Sequence, residues 1–273
     1  MISIRQVAPA LLALSTAAAA PAPTWAQTQA PMEIVVNIPA GRLDVLQGGE
    51  RVRSYPVSVG LPRYATPTGQ AGIQRLVWNP SWTPPESDWA RDEKPAAPGW
   101  NNPMGRVKMH LFRDYYVHGT PARNEGSLGR PASHGCIRMR NEDVMELARL
   151  VLRADGAPVS DSTLDQLAAN PGRTREMRLS GRVRVRIEYR LAELEQDSVA
   201  LHPDVYARAA GGYADRVRQE LAALGQDPSV VEQMAITRSP GSALRIARSG
   251  AAPIRRVPGA PAAGAAEVVA VLR

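Results

Sequence analysis

Cysteine is almost absent from this sequence, since Cys136 is the single one among 273 residues. One cysteine cannot form a disulfide within the chain, which excludes a fold held together by internal disulfides. A free thiol is a liability in an oxidising compartment unless it is buried or used, so Cys136 is a candidate nucleophile. A zinc site is not predicted, because Cys136 and the two nearby histidines, His118 and His134, have no local carboxylate in register.

The sequence also lacks an apolar run long enough to span a membrane. The stretch from Val7 to Ala20 is shorter than the ~20 apolar residues that a membrane helix requires, so no stable span is expected. It follows the basic Arg5 and precedes Thr24-Trp25-Ala26, which ends in a small residue suited to cleavage, and this order is typical of a cleavable signal peptide. We therefore predict that residues 1–26 are a signal peptide and that the protein is exported to the periplasm. No cysteine follows the run, which argues against a lipoprotein anchor.

Acidic residues are too few to balance the basic ones, and the formal net charge is +7. In an exported protein this excess favours an anionic polymer or lipid surface of the cell envelope over nucleic acid. No nucleic-acid-binding motif and no internal repeat is present, so a nucleic-acid partner is not predicted.

Short β-branched segments separated by Gly and Pro turns predict a mostly β (α+β) fold. One helix is expected after Cys136, capped by Asn141 and ending near Arg153. Residues 161–237 predict a small α/β C-terminal extension, in which Ser162-Thr-Leu-Asp165 resembles a capping box. The Ala, Gly, Pro and Arg content of residues 238–273 is typical of a disordered, low-complexity tail. The predicted strands are residues 33–38, 42–46, 51–59, 72–78, 106–111, 115–118 and 182–189.

Two segments without a hydrophobic period are candidates for loops around a site. Residues 79–103 are rich in Pro and Trp and fit a rigid surface cover or the wall of a substrate cleft equally well. Residues 119–133 contain three glycines and two prolines and are interpreted as a structureless loop that could serve as a lid.

The spacing of His118 and Cys136 suggests a thiol nucleophile and its base, brought together when the intervening loop folds back. If His118 is the base, activity should depend on a group that titrates between about pH 5 and 8. His134 is expected to hold the turn or the substrate, and Arg138 to bind a substrate carboxylate. Gly119 and Gly135 would let backbone approach the reacting carbonyl, with the amides of Gly135 and Cys136 as an oxyanion hole.

These residues fall within a longer pattern. His118-Gly-Thr and Ser133-His-Gly-Cys-Ile-Arg138 resemble the signature of the L,D-transpeptidase (YkuD-like) family of bacterial cell-wall enzymes. The resemblance extends over about residues 32–160 through further segments in the same order. These are Tyr55-Pro-Val-Ser-Val-Gly60, Thr66-Pro-Thr-Gly69, Asn79-Pro-Ser-Trp82-Thr-Pro-Pro85 and Asn102-Pro-Met-Gly105.

The resemblance implies a β-sandwich catalytic domain at residues 31–160 that acts on peptidoglycan stem peptides without a cofactor or metal. It implies that Cys136 attacks the L-centre of the third residue of a tetrapeptide, releases D-alanine and forms a thioester. His118 would accept the proton, oriented by the Gly119 carbonyl. Ser133, His134, Gly135 and Arg138 would shape the pocket.

The resemblance also implies three acceptors for the acyl group. A second stem gives a 3→3 crosslink, the terminal Lys of an outer-membrane lipoprotein gives wall attachment, and water gives L,D-carboxypeptidase or endopeptidase activity. Family members are typically acylated by carbapenems. A non-catalytic wall-binding protein is the alternative from another class.

Overall fold

In a computed structural model, the described residues are 30–195, 198–228, 244–247 and 269–271. The predicted signal peptide at residues 1–26 lies outside them, as does most of the predicted tail. Within the described ranges, no helix is long and apolar enough to cross a membrane.

Two five-stranded sheets form the main body of the fold. The first has the strand order β3-β2-β1-β12-β5 and the second the order β10-β8-β7-β6-β11, with a two-stranded β4-β9 sheet beside them. The elements are β1 (Met32–Asn37), β2 (Arg42–Gln47), β3 (Glu50–Pro56), β4 (Val59–Gly60), β5 (Gly69–Gly72), β6 (Arg75–Trp78), β7 (Val107–Phe112), β8 (Tyr115–Gly119), β9 (Pro131–Ser133), β10 (Ile137–Met139), α1 (Asn141–Asp155), α2 (Asp161–Ala169), β11 (Arg175–Arg178) and β12 (Arg184–Glu188).

Several strands, among them β7 and β12, alternate buried with more exposed side chains, and the buried residues of both sheets join one core. In β7, for example, Val107, Met109 and Leu111 are buried while the residues between them are partly exposed. A strand presents alternate side chains to opposite faces, so this pattern gives each sheet an apolar face toward the core and a polar face away from it. The mostly β sandwich architecture predicted from the sequence is confirmed.

Helix α1 follows β10 and covers the core, but it begins differently from the prediction. Arg140 occupies the N-cap position without a side-chain cap bond, and Asn141 is the first helical residue. The Asn141 side chain instead accepts a hydrogen bond from the Arg106 backbone N–H at 2.8 Å. The helix ends at Asp155, two residues after the predicted end, and the next residue, Gly156, has a φ of 75° that suits a residue without a Cβ.

Helix α2 also packs on the main core, through the buried residues Leu164 and Leu167. It begins at Asp161 because Ser160 is its N-cap and accepts a hydrogen bond from the Thr163 backbone N–H at 3.2 Å. The capping box predicted to start at Ser162 is therefore wrong by two residues.

The predicted domain boundary after residue 160 cuts through this packed unit. Strand β11 pairs antiparallel with β6, and β12 pairs parallel with β1 and antiparallel with β5. Val183, Val185 and Ile187 are buried in the main core, which is why the alternating charged strand predicted at residues 182–189 is half buried. Residues 161–188 thus complete the two five-stranded sheets.

A smaller core follows, built by β13 (Ala192–Leu194), β14 (Ser198–Leu201) and α3 (Tyr213–Ala223). Strand β14 pairs with β15 (Leu244–Ala247), which pairs with β16 (Val269–Val271), so these two segments are strands where a disordered tail was predicted. The small unit is joined to the sandwich by Asn37, which exchanges two hydrogen bonds with the Arg190 backbone.

A buried polar network fixes the start of the Trp-rich loop. Asn79 is fully buried, and its amide nitrogen donates to the backbone carbonyls of Leu167, Asn170 and Arg173 at 2.8–3.0 Å. Its carbonyl oxygen accepts from Arg106 Nε at 2.7 Å. This one side chain therefore bonds to carbonyls at and just after the C-terminal end of α2 and to the Nε of a buried arginine.

Replacing Asn79 with Gly should lower the free energy of unfolding by roughly 2 to 4 kcal/mol, because buried polar groups lose their partners. Glycine adopts the φ of 48° found at Asn79 without strain, so the loss reports on the amide rather than on the backbone. Urea unfolding would measure it, with Asn101→Gly as the matched control because Asn101 is exposed. Equal midpoints for the two variants would contradict the assignment.

Candidate active site

Cys136 lies at the edge of the second sheet, in the turn between β9 and β10. Strand β10 pairs parallel with β8, with Ile137 opposite Val117 and Arg138 opposite His118. The Cys136 thiol is partly exposed and donates a weak hydrogen bond to the Asp114 carbonyl, with 3.5 Å between Sγ and O. The fold thus places the predicted nucleophile and base on neighbouring strands.

Ser133 holds the turn that carries Cys136. Its hydroxyl donates to the Cys136 carbonyl at 2.6 Å and accepts from the Gly135 N–H at 3.0 Å. Gly135 has a φ of 110°, and a Cβ there would contact the Tyr115 ring at 2.8 Å, so only glycine fits this turn. Because the Gly135 N–H is already bonded to Ser133, the expectation that it contributes to an oxyanion hole is not supported by the geometry.

His118 is buried in β8, and one of its ring nitrogens is fixed. Its Nδ1 lies 2.6 Å from the Gly119 carbonyl oxygen. A carbonyl can only accept, so Nδ1 carries the hydrogen of the neutral imidazole and Nε2 is left as the acceptor. The bond to Gly119 anticipated from the resemblance is present.

The surroundings of His118 and Cys136 favour the neutral form of both side chains. Burial, the Arg138 charge and then Lys108 lower the pKa of His118 to about 3, against the opposing effect of the Gly119 carbonyl. Burial raises the pKa of Cys136 to about 11, although the Tyr116 backbone and Arg138 oppose this rise. Lys108, His118 and Arg138 lie in register on three adjacent strands, which explains why two cations act on one imidazole.

These pKa shifts contradict the expectation of a group that titrates between about pH 5 and 8. A resting thiolate–imidazolium pair would require the His118 pKa to rise and the Cys136 pKa to fall, and both shifts have the opposite sign. In the resting site, the Cys136 thiol and the His118 imidazole are therefore both neutral.

Gly119 packs against α1 so closely that there is no room for a side chain. A Cβ at this position would collide with the Asn141 side-chain oxygen and approach Val144 Cγ1 to 3.1 Å. The residue is buried, so its predicted role in letting backbone approach a reacting carbonyl is not supported. Its carbonyl instead orients His118.

The His134 ring contacts two aromatic rings. It stacks on Trp89, with 4.0 Å between ring centroids and planes 4° apart, and meets the edge of Tyr64 at 4.8 Å. Burial, followed by Arg138 and Arg63, lowers the pKa of His134. Trp89 belongs to the Trp-rich segment at residues 79–103, so this loop reaches the Cys136 turn, as the cleft-wall interpretation requires.

The segment predicted as a structureless loop at residues 119–133 contains regular structure. A 3₁₀ helix spans Ala122–Ser127, and β9 pairs with β4. Between this helix and the Cys136 turn lies an open cavity of about 350 Å³. Its lining contains three arginines and no carboxylate; the lining residues are Arg123, Asn124, Gly126, Ser127, Arg130, Ala132 and Arg138.

Arg138 lines this cavity and also affects the pKa values of Cys136 and His118. Its Nη1 donates to the Ala132 carbonyl at 3.3 Å, while its buried Nε has no partner in the described part of the chain. Its charge acts on both Cys136 and His118.

Comparison with known proteins identifies this arrangement. The YkuD family model, which describes the L,D-transpeptidase catalytic domain, matches residues 31–166. The chain belongs to this family. The YkuD match contains both sheets except β11 and β12, and it includes every site residue discussed above.

Several curated relatives of the YkuD domain are assigned to the L,D-transpeptidases. One from Fuscovulum blasticum is 40% identical over 107 residues, which cover 38% of this chain and 55% of the relative. YkuD of Bacillus subtilis is 33% identical over 44% of this chain and 61% of its own length. YbiS of Escherichia coli K12 is 34% identical over 41% of this chain and 39% of its own. The chain thus spans about half the length of these relatives.

Sequence patterns did not single out several residues that contact the turn around Cys136. Trp89 and Tyr64 clamp His134, and Thr66 bonds to the Gly135 carbonyl at 2.8 Å. Thr66 stands in one of the segments that carry the family resemblance, which was the available signal. Across the described residues, no group of three or more His, Cys, Asp or Glu side chains could hold a metal ion.

Proposed function

We propose that this protein is a peptidoglycan L,D-transpeptidase of the cell envelope, in which Cys136 is the nucleophile and His118 the base. The observation that carries the proposal is the fixed tautomer of His118. With Nδ1 bonded to the Gly119 carbonyl, Nε2 is left to accept a proton, and the partly exposed Cys136 lies in the turn that leads into β10, the strand paired with β8. A buried neutral imidazole on the strand next to a turn that bears a neutral thiol suits general-base activation of the nucleophile.

The reaction follows from these two groups. The thiol proton moves to His118 Nε2 as Sγ attacks the carbonyl carbon at the L-centre of the third residue of a tetrapeptide stem. The bond to D-alanine then breaks, the proton passes from His118 to the leaving amine, and a thioester remains on Cys136. An amine from a second stem then attacks the thioester carbonyl carbon and gives up a proton to His118 Nε2. The C–S bond breaks, this proton passes to the departing sulfur, and a 3→3 crosslink and the Cys136 thiol result.

Product analysis with a diaminopimelate-containing tetrapeptide tests the proposed acceptor. A transpeptidase should release D-alanine and form 3→3 dimers, with the dimer yield rising as the concentration of acceptor stems increases. Formation of tripeptide alone would mean that water resolves the thioester, as in a carboxypeptidase. Binding to wall material without D-alanine release would favour a non-catalytic protein. Adding a lipoprotein that ends in Lys tests the wall-attachment reaction in the same assay.

Arg138 and the arginine-lined cavity beside the Cys136 turn support recognition of an anionic substrate. Stem peptides carry carboxylates, and a guanidinium binds a carboxylate through paired, charge-assisted hydrogen bonds. No carboxylate among the residues lining the cavity competes for Arg138. We assign the cavity to a free carboxylate of the stem peptide.

Replacing Arg138 with Gln should lower kcat/KM for a stem with a free diaminopimelate carboxylate by about 10- to 100-fold, since a charged hydrogen bond is lost. The same variant should lose much less with an amidated stem, because that substrate offers no carboxylate. Arg140→Gln is the matched control, since Arg140 pairs with Glu125 at 3.6 Å instead of lining the cavity. Equal losses on both substrates would remove the carboxylate-binding role.

A further inference from the structure

A chain of hydrogen bonds connects the C-terminal region of the protein with the Cys136 turn. Tyr206 lies between β14 and α3, outside the YkuD match. Its hydroxyl donates to the Gly60 carbonyl at 2.7 Å and accepts from the Thr66 backbone N–H at 3.1 Å. Both bonds reach over to the catalytic sandwich, because Gly60 belongs to β4 and Thr66 follows it.

Thr66 carries this connection onward to the turn. Its side-chain hydroxyl donates to the Gly135 carbonyl at 2.8 Å and accepts from the Gly60 N–H at 2.8 Å. Thr66 is buried, with 1% of its surface exposed, so water cannot replace these bonds. Gly135 immediately precedes Cys136, and its carbonyl direction sets the orientation of the peptide that bears the thiol.

Tyr206 is itself held rigidly by the C-terminal region. Its backbone N–H donates to the Tyr189 hydroxyl at 2.7 Å, and that hydroxyl donates to Asp204 Oδ1 at 2.5 Å. The two tyrosine rings stack with 5.6 Å between centroids, and the Arg208 guanidinium lies over both. Burial raises the pKa of Tyr206, so its hydroxyl keeps the proton that it donates to Gly60.

We infer that Tyr206 is a positioning residue for the nucleophile, through which the C-terminal region fixes the Cys136 turn by way of Thr66. The inference rests on the proposed function insofar as Cys136 is the reacting group. It gives the region after residue 188 an indirect part in the chemistry, because Tyr206 helps to set the geometry from which the thiol attacks.

The test compares Tyr206→Phe with Tyr213→Phe in the full chain. Tyr213 is the matched control because its hydroxyl donates to the His202 carbonyl at 2.9 Å, within the C-terminal region. Loss of the Tyr206 hydroxyl should slow acylation of Cys136 about 5- to 30-fold with little change in KM, since one buried hydrogen bond is lost and substrate contacts remain. Tyr213→Phe should acylate at the wild-type rate.

Thr66 provides the second half of the test. Thr66→Val should slow acylation at least as much as Tyr206→Phe, whereas Thr66→Ser keeps the hydroxyl and should restore most of the rate. The combined Tyr206→Phe and Thr66→Val variant should lose less than the product of the single losses, because both act on one path. Independent, multiplicative losses would overturn the inference, as would equal effects of Tyr206→Phe and Tyr213→Phe.

Alkylation of Cys136 by iodoacetamide separates this inference from the proposed function. If the wild-type protein is not acylated by any stem peptide, the proposed function fails, but alkylation still reports the position and ionisation of the thiol. The inference then predicts a changed alkylation rate against pH in Tyr206→Phe and an unchanged profile in Tyr213→Phe. Identical profiles in all three proteins would show that Tyr206 does not position Cys136.

Discussion

The Cys136→Ala protein is expected to gain no mass when it is incubated with a tetrapeptide stem or a carbapenem, whereas the wild type should gain one acyl group. Cys136 is the single thiol in the chain, and no other side chain of the site can form a thioester. Turnover should fall by about 10⁴-fold or more, the scale seen when an acyl-transfer enzyme loses its nucleophile. Intact-mass spectrometry and D-alanine release measure the two effects.

Two controls make the first result specific to the thiol. Cys136→Ser exchanges only the sulfur for an oxygen, so it should fold normally but remain unacylated on the same time scale, since an alcohol is a far weaker nucleophile. Wild-type protein pretreated with iodoacetamide should also gain no acyl group. A mass gain in Cys136→Ala equal to that of the wild type would place the acylation on another residue and refute the assignment.

Local patterns were enough to predict the main elements of this fold. The alternation around Val183, Val185 and Ile187 predicted a half-buried strand, and the apolar spacing after Asn141 predicted α1. What they could not show was which strands pair across the chain. Strand β12 enters the first sheet next to β1 because its apolar side chains complete the main core, and this pairing depends on residues far apart in sequence.

The predicted helix cap and domain boundary differ from the structure for a related reason. Asn141 is a good helix cap by residue type, yet in the folded chain its side chain bonds to the Arg106 backbone, which no local pattern records. The boundary after residue 160 followed the end of the family segments, whereas the core continues through Leu164, Leu167 and β12.

At the site, the sequence predicted candidate residues but not their electrostatics. Ser133, Gly135 and Cys136 share one turn, and His118 lies on β8, the strand that pairs with β10 directly after this turn. The ionisation expected for a Cys–His pair was wrong because it ignored burial and the two cations, Lys108 and Arg138, that flank His118 in register. Those neighbours come from separate strands, so their effect appears only after folding.

The His118→Gln protein is expected to lose about 10²- to 10⁴-fold in the rate of Cys136 acylation, because glutamine can donate to the Gly119 carbonyl but cannot accept the thiol proton. The pH profile should change as well. With His118 neutral above about pH 3 and Cys136 protonated below about pH 11, the wild-type rate should be flat between about pH 5 and 9. The variant depends on the small thiolate fraction, so its rate should rise with pH across this range.

The same substitution should also change how stability depends on pH. Because the folded-state pKa of His118 is lowered from 6.5 to about 3, the unfolded chain binds a proton in this interval that the folded chain does not. Wild-type stability should therefore fall as pH decreases from 6.5 toward 3, and His118→Gln should lose that part of the fall. His110→Gln is the matched control, since His110 lies two residues from Lys108 on β7 and its Nε2 lies 2.8 Å from the Arg113 carbonyl oxygen. The acylation rate provides the contradicting outcome. If the wild-type acylation rate dropped tenfold from pH 7 to 5 and His118→Gln showed the same pH profile, another group would set the ionisation and the imidazole would not be the base.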